Sequence, residues 1–135
     1  LEWLDKCIEY VNLDKLINSL DKGGETMIGE GFRKISGGQM QKLNIARAIY
    51  RKPKLLILDE ATSNQDVENE EIIMNLINKL KGKITIIVVA HRLNSITSAD
   101  NIFLFKNGKI IEKGKHNKLL INKKAYWKLW NSYQQ

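Results

Sequence analysis

Leu55-Leu56-Ile57-Leu58-Asp59-Glu60 decides the fold. Four aliphatic residues run without a break into two carboxylates. So short an unbroken apolar run, with Pro53 just before it, reads as a strand buried on both faces of a sheet. Residues 66–80 then read as a helix. Glu68, Glu70 and Glu71 lie in its first turns, where the helix dipole favours anions. Ile73, Leu76, Ile77 and Leu80 face the core, and Gly82 stops it. Ile84 to Ala90 is a second apolar run, interrupted only by Thr85, and it runs into His91-Arg92. Strand, helix and strand at this spacing make a βαβ unit with parallel strands and a right-handed crossover. The expected class is α/β.

Upstream, Leu4, Cys7, Ile8 and Val11 recur at helical spacing, so 3–11 reads as a helix, with a short second one around 14–20. Residues 21–35 hold four glycines and read as a loop. A longer helix is expected over 37–50, with Met40, Leu43, Ala46 and Ile49 on one side. Downstream, residues 102–106 and 109–113 flank Asn107-Gly108, the preferred two-residue turn of a β-hairpin. Two short basic helices close the chain. Trp3, Trp127, Trp130 and His116 read as packing or surface residues, and Cys7 as a small core residue.

The chain of 135 residues has room for one domain at most. Apolar residues make up 43% and charged residues 27%, with one proline and no low-complexity tract, so disordered and fibrous classes are excluded. No apolar run approaches the roughly 20 residues a membrane helix needs. The chain opens on Leu1 with no signal-peptide pattern, which fits a piece of something longer. One cysteine excludes an intrachain disulfide. The net charge of +7 is local: residues 1–100 balance, and residues 101–135 carry 8 lysines against Glu112 alone. Only 4 of the 22 basic residues are arginine. The basic end suits an anionic surface such as a membrane face better than nucleic acid, and AT-rich codon usage would produce the same bias.

Both strands end in polar residues, Asp59-Glu60 and His91-Arg92, at the edge where open α/β sheets bind ligands. An acidic pair and a histidine there suit magnesium, water activation and phosphate chemistry. Taken alone, they suit a turn cap and a satisfied edge histidine equally well. Ser36-Gly37-Gly38-Gln39 stands at a helix start, where unpaired N–H groups and the positive dipole end favour phosphate. Its plainer reading is an N-cap with glycines for a turn.

The ordered string is more specific than its parts. Ile35 to Gln39 precede a helix containing Ala46-Arg47-Ala48. Pro53, the strand, Asp59-Glu60-Ala61-Thr62-Ser63 and then Ala90-His91-Arg92-Leu93 follow. From about Thr26 to Leu120 the chain closely resembles the ATP-binding cassette (ABC) ATPases, of the exporter type. The resemblance implies the C-terminal half of a P-loop NTPase-like parallel sheet core, a helical signature subdomain and an antiparallel hairpin. Residues 1–50 match the signature-bearing helical part and 51–135 the second half of the core with its C-terminal helices, together one partial domain.

Roles follow from the same resemblance. Ser36, Gly37, Gly38 and Gln39 match the signature motif, which clamps the γ-phosphate of an ATP held by the opposite subunit. Asp59 matches the Walker B aspartate that holds Mg²⁺. Glu60 matches the general base and His91 the switch histidine that contacts the γ-phosphate. Residues 63–66, ending in Asp66, occupy the D-loop position that links the two sites. Phosphoryl transfer needs positioning, a metal and charge neutralisation rather than covalent help, and these residue types supply them.

Two departures stand out. Asn64-Gln65 replace the small residue and leucine usual before the D-loop aspartate. No P-loop G-x-x-x-x-G-K-[ST] is present either: Gly82-Lys83, Gly108-Lys109 and Gly114-Lys115 all lack the following Ser or Thr. The family's Q-loop and adenine-stacking aromatic have no counterpart.

The resemblance thus implies part of the ATP-hydrolysing nucleotide-binding domain of an exporter, on the cytoplasmic face of the cell membrane. ATP and Mg²⁺ are the expected ligands. The expected partners are a second nucleotide-binding domain, identical or not, and a transmembrane domain; nucleic acid is not expected. The alternative is a soluble ABC-type ATPase acting on nucleic acid or ribosomes. Gln39, where those groups more often carry Glu, and the exporter-like strings weigh against it. A non-catalytic interaction fragment is opposed by the presence of Glu60 and His91. Without the P-loop, the chain by itself is expected to lack ATPase activity. In the family the P-loop strand lies between the strands matching 84–90 and 102–106. Strands 55–59 and 84–90 should therefore pair in parallel, putting Asp59 and His91 on one edge, with no ladder from 84–90 to 102–106.

Overall fold

Apolar spacing in this chain makes helices that cover one side of a short ladder. The structure, a computed structural model, describes residues 2–29, 34–59, 67–90 and 92–133, with 67–70 described by backbone alone. It comprises two compact units, residues 1–89 and 90–135.

The first unit contains α1 (Glu2–Tyr10), α2 (Asp14–Asn18), a 3₁₀ turn (Gly23–Glu25), α3 (Gly37–Tyr50), β1 (Leu55–Asp59), α4 (Val67–Leu80) and β2 (Thr85–Val89). Its core joins Cys7, Val11 and Leu13 to Ile45, Ala46 and Ile49 of α3, Leu56 and Leu58 of β1, and Ile73, Leu76 and Leu80 of α4. The stripe read on α1 is only partly used, because Leu4 is exposed. Trp3, the larger neighbour, packs against the core in its place. Gly82 has φ +78, a conformation that favours glycine, and it ends the stretch after α4.

β1 and β2 pair in parallel, with Leu55 opposite Thr85 and Asp59 opposite Val89. The ladder begins at the Thr85 N–H, which donates to the Lys54 carbonyl at 3.0 Å. Pairing and direction agree with the sequence reading, but burial corrects it. Leu56 and Leu58 are buried, whereas Leu55 and Ile57 are 48% and 58% exposed. On β2, Ile87 and Val89 are both 47% exposed, and Ile86 and Val88 are only partly buried. The strands are therefore covered on one face, not two. An apolar run records that a strand can be buried twice over, but the described residues supply a covering layer on one side alone.

The second unit contains a 3₁₀ turn (Leu93–Ile96), β3 (Ile102–Lys106), β4 (Lys109–Gly114), α5 (His116–Ile121) and α6 (Ala125–Tyr133). Asn107 and Gly108 have φ +50 and +73, as a type I′ hairpin turn requires. The antiparallel register shifts between Leu104 and Phe105, leaving Ile111 as a bulge. The core is Leu93, Ile102, Leu119 and Tyr126, with Trp130 packed against it. Burial pushes the Tyr126 phenol above its ordinary range, and its hydroxyl shares a 2.9 Å hydrogen bond with His116 Nδ1. His116 and Trp130 meet edge-on at 4.6 Å between ring centroids, in keeping with packing roles. Among the described residues, β1 pairs with β2 within the first unit and β3 with β4 within the second.

Candidate phosphate-facing site

Helix α3 starts where Ser36 leaves the helical path, at φ −66 and ψ 159. An α-helix leaves its first amides without intrahelical partners, and Ser36 and Gln39 take up two of them reciprocally. The Gln39 N–H donates to Ser36 Oγ at 3.2 Å. The Ser36 N–H donates to Gln39 Oε1 at 2.9 Å. This is a capping box. The first helical bond follows, from the Met40 N–H to the Ser36 carbonyl at 2.9 Å. The Gly37 and Gly38 amides find no acceptor among the described residues.

Ser36 and Gly37 are exposed, and Gly38 and Gln39 partly so. A Cβ built on Gly37 meets nothing within 4 Å. The start of α3 thus offers the exposed Gly37 amide, with the partly exposed Gly38 amide and the Ser36 hydroxyl beside it, at the positive end of a 14-residue helix. Its chemistry fits an anionic oxygen. The N-cap reading and the phosphate reading of Ser36-Gly37-Gly38-Gln39 therefore describe the same atoms. The reciprocal bond made by Gln39 went unread in the sequence, although S-x-x-Q carries its signature.

Asp59 is the last residue of β1 and is exposed. It lies opposite Val89, the last residue of β2, so both strands finish at one edge. A single accessible carboxylate suits Mg²⁺, which keeps several waters and takes one or two carboxylates. Among the described residues no three His, Cys, Asp or Glu side chains gather as a metal site. Glu60, Asp66 and the rest of 63–66, and His91 lie outside the described residues. Cys7 is fully buried. Desolvation holds its thiol above the ordinary range, opposed by the Lys52 charge, so it is no reactive thiolate. No helix among the described residues is long and apolar enough to cross a membrane.

The fold defines an α/β protein with a P-loop NTPase-like sheet core. The family model described as ABC transporter matches residues 5–63. The chain is 44% identical over 124 residues to the multidrug resistance-like ATP-binding protein MdlB of Buchnera aphidicola subsp. Schizaphis graminum, covering 92% of this chain and 21% of that protein. It is 43% identical over 126 residues to the multidrug resistance protein pgp-1 of Caenorhabditis elegans, covering 93% of this chain and 10% of that one. Among solved structures it matches a bacterial Atm1-family ABC exporter with ATP bound, at TM-score 0.85 and 31% identity, over 97% of this chain and 23% of the exporter chain. These matches support an assignment to the ABC transporter family. Within it, the likeness is to the nucleotide-binding domain of exporters, and the chain spans about a fifth or less of the relatives it matches in sequence.

Proposed function

We propose that this chain works as part of the nucleotide-binding domain of an ABC exporter, where ATP binding and hydrolysis at a dimer interface drive transport across a membrane. Residues 1–50 are its signature-bearing helical part and 51–135 the second half of its ATPase core. Its partners are a second nucleotide-binding domain and a transmembrane domain, and it works at the cytoplasmic face of the membrane. The observation that carries this reading is the start of α3, where the Gly37 and Gly38 amides have no acceptor among the described residues and stand beside the Ser36 hydroxyl. An ATP-bound exporter among the structural relatives supports a nucleotide phosphate as the anion.

In this reading Ser36, Gly37 and Gly38 face the γ-phosphate of an ATP held by the partner domain. Asp59 would hold Mg²⁺, which neutralises phosphate charge when bound. Glu60 accepts a proton from the attacking water, His91 orients the γ-phosphate, and Asp66 links the two sites. These 135 residues contain no P-loop G-x-x-x-x-G-K-[ST], so the chain by itself should not hydrolyse ATP.

Ser36→Arg in the complete exporter tests the reading. Its side chain would occupy the space in front of the glycine amides and block hydrolysis in trans. Mixed with a subunit unable to bind ATP through its own P-loop, it should leave one of two composite sites working. Unchanged ATPase activity and unchanged ATP-driven dimerisation would remove the phosphate role of Ser36.

A further inference from the structure

The buried side chains among the described residues are apolar or aromatic, with one exception, Ser95, which is 5% exposed. Ser95 lies in the 3₁₀ turn Leu93–Ile96 of the second unit. Leu93 anchors that turn in the core with Ile102, Leu119 and Tyr126, and Ile96 packs beside them. A hydroxyl in such surroundings is costly unless it is hydrogen-bonded. Ser95 Oγ donates to the Arg92 carbonyl at 2.7 Å, and the Ser95 N–H donates to the same carbonyl at 3.3 Å. Thr97 makes the matching bond to the Asn94 carbonyl at 3.1 Å, but it does so at the surface, where water can replace it. The Ser95 bond is the shorter and the more buried of the two.

Arg92 is extended, at φ −97 and ψ 116, and begins the turn. In the sequence it follows His91 directly. The turn therefore fixes the backbone one residue beyond the histidine read above as orienting the γ-phosphate. Misplacing such a group by 1 Å can cost about a hundredfold in rate. Resting on that reading, we propose that Ser95 is a positioning residue for His91: its buried hydroxyl holds the Arg92 carbonyl and so fixes the backbone that carries the histidine. Ser95 itself touches no substrate. A serine that only stabilised the turn would change unfolding and leave the contribution of the histidine intact. The two roles part in a double-mutant cycle with His91.

The experiment measures kcat and KM for ATP in the complete exporter for Ser95→Ala, His91→Ala and the variant carrying both. Single-turnover hydrolysis of radiolabelled ATP reaches the slow variants, and thermal unfolding is followed on the same samples. Ser95→Ala should lower kcat about tenfold, the weight of one lost hydrogen bond. It should leave KM within about threefold. With His91 already replaced, Ser95→Ala should change the rate less than about twofold, because the group it positions is gone. A full tenfold loss in that background would overturn the proposal. So would a normal kcat in Ser95→Ala, whatever its unfolding midpoint. His91→Ala decides the underlying reading separately. If that variant alone hydrolyses ATP at the normal rate, the histidine role falls and the positioning role with it. If it is slow while the two losses multiply, only the role of Ser95 falls.

Discussion

Trp3 closes the C-terminal end of α3 from 47 residues away: its indole N–H donates to the Tyr50 carbonyl at 2.9 Å. That carbonyl is one of the last in α3 and has no intrahelical partner. Lys52, two residues further on in a left-handed conformation, sets its ammonium over the same indole at 5.5 Å. Both ends of α3 are thus tied, one by Ser36 and Gln39 and the other by Trp3. Trp3→Phe keeps the ring and loses the donor. It should lower stability by about 1 kcal/mol, since Tyr50 is exposed and water can replace the bond. Chemical denaturation read by far-ultraviolet circular dichroism checks this.

Glu112 performs a comparable service in the second unit. One carboxylate oxygen accepts from the Tyr126 N–H in the first turn of α6. The other is buried without a partner. Glu112→Ala should cost about 1–2 kcal/mol through loss of this remote helix cap. Glu112→Gln should cost less, because an acceptor remains. Thermal unfolding followed through Trp127 and Trp130 fluorescence would separate the two variants.

Alkaline pH should act on Cys7. Its pKa is raised in the folded chain, chiefly by desolvation. The contribution to stability is therefore fully present below the unfolded thiol value of about 8.5 and is lost as pH rises through the higher folded value. Unfolding midpoints measured from pH 7 to 10 should fall on the alkaline side, and the fall should be shallower in Cys7→Ala. Equal slopes would exclude the thiol as the cause.

The two faces of β1 should respond differently to substitution. Leu58→Ala removes a buried side chain and should cost about 2–5 kcal/mol. Ile57→Thr alters an exposed position and should leave the unfolding free energy of the 135-residue chain within about 0.5 kcal/mol. It should instead reduce self-association, seen by light scattering against concentration, because the apolar patch with Leu55, Ile87 and Val89 is broken.

On the role proposed for Glu60, Glu60→Gln in the complete exporter should bind ATP and hydrolyse it very slowly, since the attacking water would lose its base while phosphate contacts remain. Single-turnover kinetics alongside nucleotide binding would show the split. Near-normal turnover would remove Glu60 from the role.

Much of the fold was legible because it is written in local chemistry. Ser36 and the apolar period give the bounds of α3, Asn107-Gly108 gives the hairpin, and two strands joined by a helix give a parallel pair. The exposure of Leu55, Ile57, Ile87 and Val89 was not legible. Their apolarity is the same whether or not a covering layer is at hand. Leu4 was misjudged because periodicity cannot weigh it against Trp3, and the bulge at Ile111 was not read because it adds a residue without changing composition. At the candidate site, the residue types and order were legible, but the division of labour between Ser36 and Gln39 required hydrogen bonds. Glu60, Asp66 and His91 rest on the sequence alone.

The pairing of Asp59 with Val89 ties chemistry to packing in a way that composition hides. A strand alternates its faces at every residue, so a ladder displaced by one position would turn Leu56 and Leu58 outward and carry the carboxylate off its edge. The two buried leucines therefore serve as a gauge block. They set the height at which Asp59 is presented, and a substitution that lets the strand creep would misplace the acid along with them.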